Sequence, residues 1–370
     1  MHRLKVLLLI PHLGGGGAER VTAHLARNLS STKYELHLGL ITQADAGPEV
    51  FPRCVNLHAL GRSRVRAAAI PLLRLIRLLQ PDVILSGMAH LNFLVLMMRP
   101  FLRRNTCVLV RQNASISASL AFAELPIGTR ILYRLFYPRA DRVICQTPAM
   151  AAELAAQLGI PTLRLAVLPN PVQVEMLRTS REDAPTQWSG AGPHLLAVGR
   201  LSREKGFDLL LNAFAKVCET FPNADLVIAG AGPEHAALQA ECRRLGLAAA
   251  VRFAGYVDHP HSYFPGASAF VLSSRQEGLP NALLEAAAGG LPIVALPASA
   301  GLKDLLRSQP GVWLAQEVSS EALGSSLLLA LKALRPCQRF EHAFVEQFRM
   351  DRAIHAYEEL IDLVFKEGAR

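Results

Sequence analysis

"KVLLLIPHLGGGGAERVTAHL", residues 5–25, joins an apolar run without turn signals to a helix-like run through four consecutive glycines. Glycine lacks a Cβ, takes tight-turn dihedrals at little cost and lets a ligand approach the chain. A strand that ends in such a loop and re-enters as a helix is the opening unit of a doubly wound α/β domain. The usual guest at that point is a phosphate on the helix N-terminus. The dinucleotide fingerprint is not met, because G-x-G-x-x-G begun at Gly14 or Gly15 reaches Glu19 or Arg20 at its last place. The next strand, "YELHLGLITQ", closes on Gln43 rather than on an acid for a ribose. Both departures disfavour a nicotinamide cofactor.

Working outward, strand-like runs alternate with helix-like ones along almost the whole chain. The first half offers "KVLLLI", "YELHLGLI", "VNLHAL", "DVILS", "TCVLVR", "DRVICQ" and "LAVLPN", with helical stretches including 18–29, 65–79 and 148–158. The second half offers "HLLAVG", "ADLVIAG", "VRFAG", "AFVLSS", "PIVAL" and "GVWLA" and closes in helix formers over 349–366. Short, continuously apolar strands with helical crossovers predict parallel sheets buried on both faces. The pattern pauses in the polar, Pro- and Gly-punctuated stretch before "HLLAVG". The reading is therefore two doubly wound, Rossmann-like parallel-sheet domains facing across a cleft. The N-terminal domain covers 1–172, a linker 173–193 and the C-terminal domain 194–348, and a last helix at 349–370 packs back toward the N-terminal domain.

The 370 residues are 51% hydrophobic, enough for a sizeable core in two domains. Six scattered cysteines form no C-x-x-C and no Cys/His ligand spacing, which argues against a zinc site or disulfide framework and suits a reducing cytosol. The N-terminal apolar run is shorter than a signal-peptide core, and no stretch approaches the roughly 20 residues of a spanning helix. Charge is uneven: residues 1–172 hold 20 Lys and Arg against 8 Asp and Glu, and residues 173–370 hold 19 against 22. A basic half joined to a slightly acidic one predicts an anionic partner for the first.

Four groups of residues follow strand ends. They are the glycines at 14–17, His90 in "MAHLN", Arg200 and Lys205 in "VGRLSREKG", and Glu277 and Glu285 in "EGLPNALLE". Two cations five residues apart on a loop entering a helix can grip a diphosphate, Arg as a planar fork and Lys as a mobile point charge. In the fourth group Gly278 permits a tight turn and Pro280 fits the first turn of a helix. The exposed N–H groups of that turn, around Gly278, Leu279 and Asn281, make an anion site. Carboxylates beside a diphosphate repel it, so Glu277 and Glu285 are expected on hydroxyls, of a sugar and a ribose respectively.

In this order and spacing the residues resemble glycosyltransferase family four, the retaining nucleotide-sugar enzymes with the GT-B fold. "GGAERV" (16–21), "VGRLSREKG", "LVIAGAGPE", "VRFAGYV" and "EGLPNALLEAAAGGLPIVA" carry the likeness over nearly the whole chain. The resemblance implies that Gly17, with Gly16, approaches the donor phosphate or sugar, that Arg200 and Lys205 hold the diphosphate, and that Glu277 contacts the sugar and Glu285 the ribose. His90 matches a sugar-contacting histidine. Many members read G-G-x-x-E where this chain has "SAGLKDLL", with Asp304 in the acidic place. The implied reaction is metal-independent, cofactor-free transfer from a nucleoside-diphosphate sugar, UDP-linked, with retention at the anomeric carbon.

The acceptor is argued from the basic half. Residues 61–81 carry Arg62, Arg64, Arg66, Arg74 and Arg77 beside leucines, and residues 91–105 repeat the combination. Either suits an anionic bilayer, apolar face inward and arginines at the headgroups, or else covers the sheet. The expected acceptor is a lipid-linked glycan, met by a protein peripheral on the cytoplasmic face of the inner membrane. A soluble acceptor and a GT-B-fold epimerase are the alternatives. A nucleic-acid partner is disfavoured, because aromatics are 6% and do not interleave with the basic residues.

Overall fold

The computed structural model describes residues 3–14, 16–42, 51–121, 126–179, 187–188 and 191–368. Gln43 and Gly15 lie outside them. The chain divides into two compact units, Met1–Pro171 with Asp351–Arg370, and Val172–Met350.

In the first unit β1 (Leu4–Ile10), β2 (Tyr34–Leu40), β3 (Val55–Ala59), β4 (Val83–Ser86), β5 (Cys107–Arg111), β6 (Arg142–Cys145) and β7 (Leu165–Val167) form a sheet in the order β3-β2-β1-β4-β5-β6-β7. All its pairs are parallel, with Leu8 of β1 between Leu38 and Leu85. Val6 through Ile10 are fully buried, as a strand covered on both faces requires. The crossovers are α1 (Gly17–Asn28), α2 (Ala69–Leu79), α3 (Ala89–Met97), α4 (Ile116–Ala121), α5 (Pro126–Phe136) and α6 (Pro148–Leu158). The bounds of α6 follow from local chemistry. The Thr147 hydroxyl accepts from Met150 N at 3.3 Å, Pro148 opens the helix, and Gly159 closes it at φ 67°.

In the second unit α7 (Val174–Thr179) precedes β8 (His194–Val198), α8 (Phe207–Thr220), β9 (Asp225–Ala229), α9 (His235–Arg244) and β10 (Val251–Gly255). There follow β11 (Ala269–Leu272), α10 (Asn281–Ala288), β12 (Ile293–Ala295), α11 (Ala300–Leu306), β13 (Val312–Leu314) and α12 (Ser320–Ala333), after which the closing helix α13 (Met350–Gly368) returns to the first unit. The parallel sheet runs β10-β9-β8-β11-β12-β13. Alternate residues sort to its two faces. Leu195, Ala197, Leu226, Ile228 and Val271 pack with α8, α9 and α12, while Leu196, Val227, Phe270 and Leu272 pack with α7, α10 and α11.

Within the first unit α13 is held by polar contacts as well as packing. Glu358 accepts from Ser30 N and Lys33 Nζ, both at 2.9 Å, and Tyr34 Oη donates to Asp362 at 2.8 Å. Within the start of the expected linker, residues 174–179 form α7, with Val174 and Leu177 one turn apart and buried in the second unit's core. Of the rest, 180–186 and 189–190 lie outside the described residues. The two basic stretches also differ in kind. In α3 Leu91, Leu94, Val95 and Leu96 are buried, so 91–105 is core on its helical part. In α2 Leu72, Leu75 and Ile76 cover the sheet, and Arg66, Arg74 and Arg77 are exposed beside it.

His24 on α1 carries a pH consequence. Burial first, then Arg27 and Arg20 one turn to either side, lower its pKa to about 4. The unfolded chain therefore binds the proton more tightly than the native one. The stability this group confers is complete above pH 6.5 and is lost as pH falls toward 4. His24→Leu removes that loss, which amounts to at most about 3 kcal/mol. Urea midpoints of the two proteins should diverge as pH falls through this range, the parent's dropping relative to the variant's.

Candidate functional site

In each unit the strand order reverses at one place, between β1 and β4 in the first and between β8 and β11 in the second. At such a switch point neighbouring loops diverge to opposite faces and leave a crevice at the strands' carboxyl ends. Every sequence group singled out above follows one of these four strands.

In the second unit β8 leads into Gly199, Arg200 and a short 3-10 turn, Arg203–Lys205, ended by Gly206 at φ 63°. The loop is fixed from two sides. Gly230, at φ 156°, lies so near Gly199 that a Cβ would sit 1.8 Å from the Gly199 carbonyl oxygen. A Cβ on Gly206 would sit 2.1 Å from the Ser273 carbonyl oxygen, and Ser273 Oγ donates to the Lys205 carbonyl at 2.9 Å. The loops after β8 and β11 are thus joined backbone to backbone.

That junction brings charges together. Lys205 Nζ donates to Glu277 Oε1 at 2.5 Å, and Ser274 Oγ donates to the same oxygen at 2.7 Å. The Glu277 carboxylate is largely buried, with Lys205 a quarter exposed. Beneath them Arg275 forks onto Asp208 at 2.7 and 2.5 Å, and its backbone N–H reaches the Glu204 carbonyl at 2.8 Å. Burial would raise the Asp208 pKa, but the Arg275 hydrogen bond and charge, with N–H groups of the first turn of α8, bring it below the usual range. Arg200 stays exposed, with no ion pair among the described residues. Asn281 begins α10, Glu285 lies half-buried one turn on, and Leu279 is buried. The Gly278 carbonyl accepts from Ser299 Oγ at 3.4 Å. Pro280 is the residue before the helix rather than in its first turn. Asp304 is exposed on α11. A cavity of about 550 Å³ opens beside Asp208, Glu234 and Glu241, but Arg200, Lys205 and Glu277 do not line it.

In the first unit Gly16 caps α1 and Gly17 begins it. Glu19, in the first turn, is buried and folds back so that a Cβ on Gly16 would meet its carboxylate at 2.4 Å. The helix end thus already holds a carboxylate of the protein, where the partial positive charge of the terminus favours it. His12 Nδ1 lies 3.6 Å from Glu19 and accepts from Gly14 N at 3.1 Å. His90 is the second residue of α3, exposed, with its pKa lowered by desolvation and then by His12. Both effects favour the neutral imidazole, which can both donate and accept. Beside it the Gly87 carbonyl takes a hydrogen bond from Asn113, itself held by Arg111.

Sequence reading missed the residues that fix this arrangement: Ser273, Ser274, Arg275, Asp208, Arg111 and Asn113. Ser273 and Ser274 were visible as the polar end of "AFVLSS". Nothing local marks the Arg275–Asp208 pair, which spans 67 residues.

Two doubly wound parallel-sheet units are the two halves of the GT-B fold. The model of Glycosyltransferase Family 4 matches residues 15–176, and that of Glycosyl transferases group 1 matches residues 180–344. The chain belongs to glycosyltransferase family four. It is 27% identical over 316 residues to the N-acetylgalactosamine-N,N'-diacetylbacillosaminyl-diphospho-undecaprenol 4-alpha-N-acetylgalactosaminyltransferase of Campylobacter jejuni, covering 81% of this chain and 83% of that one. It is 29% identical over 180 residues to a Methanocaldococcus jannaschii protein described as an uncharacterized glycosyltransferase, covering 48% of this chain and less than half, 44%, of the relative. In fold it is similar to Anabaena HepE, solved in complex with UDP, at TM-score 0.76 and 17% identity over 98% of this chain and 100% of that one.

The junction predicts a graded response to adding one methyl group. Gly255, at φ 70°, has nothing within 4 Å of an added Cβ, so Gly255→Ala should cost only the left-handed conformation, about 1 kcal/mol. Gly206→Ala adds overlap with a carbonyl oxygen and should cost at least about 3 kcal/mol. Thermal melts of the two variants side by side provide the comparison.

Proposed function

We propose that the protein transfers a sugar, with retention, from a nucleoside-diphosphate sugar to a lipid-linked glycan acceptor. The observation that carries the donor half is the Lys205–Glu277–Ser274 cluster at the second unit's switch point. Lysine has three N–H donors, of which Glu277 uses one, so the others remain for a diphosphate. Arg200, exposed on the same loop, is our second diphosphate ligand. Glu277 receives two hydrogen bonds on Oε1, and its Oε2 makes none among the described residues. That oxygen is our acceptor for a sugar hydroxyl, and Glu285 takes the ribose.

The chemistry is electrostatic. As the sugar leaves, negative charge grows on the diphosphate, and preorganised donors stabilise it without reorganising. Lys205, Arg200 and the N–H groups around Gly278, Leu279 and Asn281 supply them, so the reading needs no metal. In the first unit we read Gly16 and Gly17 as a point of close backbone approach and His90 as a neutral hydroxyl contact. Glu19 at the end of α1 makes that helix a poor phosphate site, which favours sugar there.

UDP as the nucleotide is supported by the complex of HepE. A lipid-linked acceptor is supported by the undecaprenol-linked substrate in the name of the Campylobacter relative and by the basic first half. We place the protein peripherally on the cytoplasmic membrane face. Among the described residues no helix is long and apolar enough to cross a membrane.

A hydrolysis screen of purified protein against a panel of nucleotide sugars tests the donor, and turnover of none would refute the reading. Lys205→Ala should weaken nucleoside-diphosphate binding roughly tenfold to a hundredfold by calorimetry. Glu277→Gln should leave that affinity nearly intact while turnover falls on the order of a hundredfold. The opposite split would exchange the two roles.

A further inference from the structure

Helix α5 turns its aliphatic side outward. Its inward side is fixed by Tyr133 and Phe136, both buried. Tyr133 packs edge-on against Phe93 at 4.9 Å and Tyr137 at 4.7 Å. On the opposite side Ile127, Ile131 and Leu135, spaced four residues apart, are 79%, 58% and 53% exposed. Leu132 widens this stripe, and Arg130 and Arg134 flank it, both exposed. A helix serving only the core shows the reverse pattern, with its aliphatic stripe inside.

We propose that α5 is the element through which the first unit docks on an anionic lipid bilayer, with Ile127, Ile131 and Leu135 entering the acyl boundary and Arg130 and Arg134 at the headgroups. This deepens the proposed function and rests on its membrane-borne acceptor. Charge complementarity selects the occupant. The flanking groups are guanidiniums, and the surrounding half carries 20 basic against 8 acidic residues. An anionic surface attracts all of these, whereas a second copy of the chain would bring its own Arg130 and Arg134 to the same contact. An apolar stripe bordered along one edge by arginines suits a helix lying in the plane of an interface. The proposal adds α5 to 61–81 and 91–105, where most apolar residues face the core although Ile70, Leu78, Met97 and Phe101 are exposed.

The test is co-sedimentation of the full-length protein with vesicles of phosphatidylcholine alone or of phosphatidylcholine and phosphatidylglycerol in equal parts. Binding should require phosphatidylglycerol and weaken with salt. Replacing Arg130 and Arg134 by Gln should lower the partition coefficient about thirtyfold. The triple change Ile127→Ser, Ile131→Ser, Leu135→Ser should lower it at least tenfold at every salt concentration, with an unchanged melting temperature. Ile131→Trp should give emission quenched by brominated lipid. Binding of the triple variant equal to the parent, no vesicle binding by the parent, or an oligomer that the triple change dissociates would each overturn the proposal. Donor hydrolysis measured without vesicles separates the failures: its absence in the parent refutes the proposed reaction, and its persistence in a triple variant that still binds vesicles refutes α5 alone.

Discussion

Between Gly206 and the carbonyl oxygen of Ser273 there is no room for a side chain, and the charged arrangement of the second unit follows from that exclusion. The contact fixes the distance between the loop after β8 and the loop after β11. Ser273 Oγ closes the same junction through the Lys205 carbonyl, and Arg275 braces it from below by reaching the Glu204 carbonyl and Asp208. Lys205 and Glu277, 72 residues apart in sequence, meet because their backbones have no alternative. A cation and an anion placed this way hold each other in place, so neither side chain keeps much conformational freedom.

The first unit solves a different problem. Arg111, at the carboxyl end of β5, is buried, and its guanidinium bonds neutral groups: Tyr357 Oη at 3.1 Å, Asn170 Oδ1 at 2.5 Å and Asn113. Burying a cation costs free energy unless hydrogen bonds replace its water. Three elements supply them here, and one consequence is that Asn113 is aimed at the Gly87 carbonyl just before α3. The loop carrying His90 is thereby tied to the sheet core.

Much of this was legible in the sequence. All thirteen strands of the two sheets correspond to quoted apolar runs, and the fully buried ones, such as β4, β5 and β11, leave least ambiguity because they are continuous in hydrophobicity. Helix ends were clear wherever a cap or a terminating glycine was local, as at Thr147 and Gly159. The fold class and the family followed from five motifs in order. What escaped has a common cause, which is dependence on distant partners. The Arg275–Asp208 pair and the Arg111 network are set by tertiary packing, whereas the burial of α3 is the reading its leucine-rich run favours. The outward turn of α5 depends on Tyr133 and Phe136 claiming the core, and its pattern alone reads as an ordinary amphipathic helix. At α7, polar neighbours masked two apolar residues that sufficed to anchor a helix.

The first unit is discontinuous, since its sheet is complete by Val167 but Asp351–Arg370 return to it from the other end of the chain. Protein synthesis runs in one direction, so the ribosome must finish the whole second unit before Tyr357 can reach Arg111 or Glu358 can satisfy Ser30. During that interval Arg111 lacks its Tyr357 partner and the Ser30 N–H lacks Glu358. The second unit is continuous and carries no such delay. The order of completion is therefore the reverse of the order of synthesis, and the vulnerable species in the life of this chain is a nascent one, with its first half made and its last helix still to come.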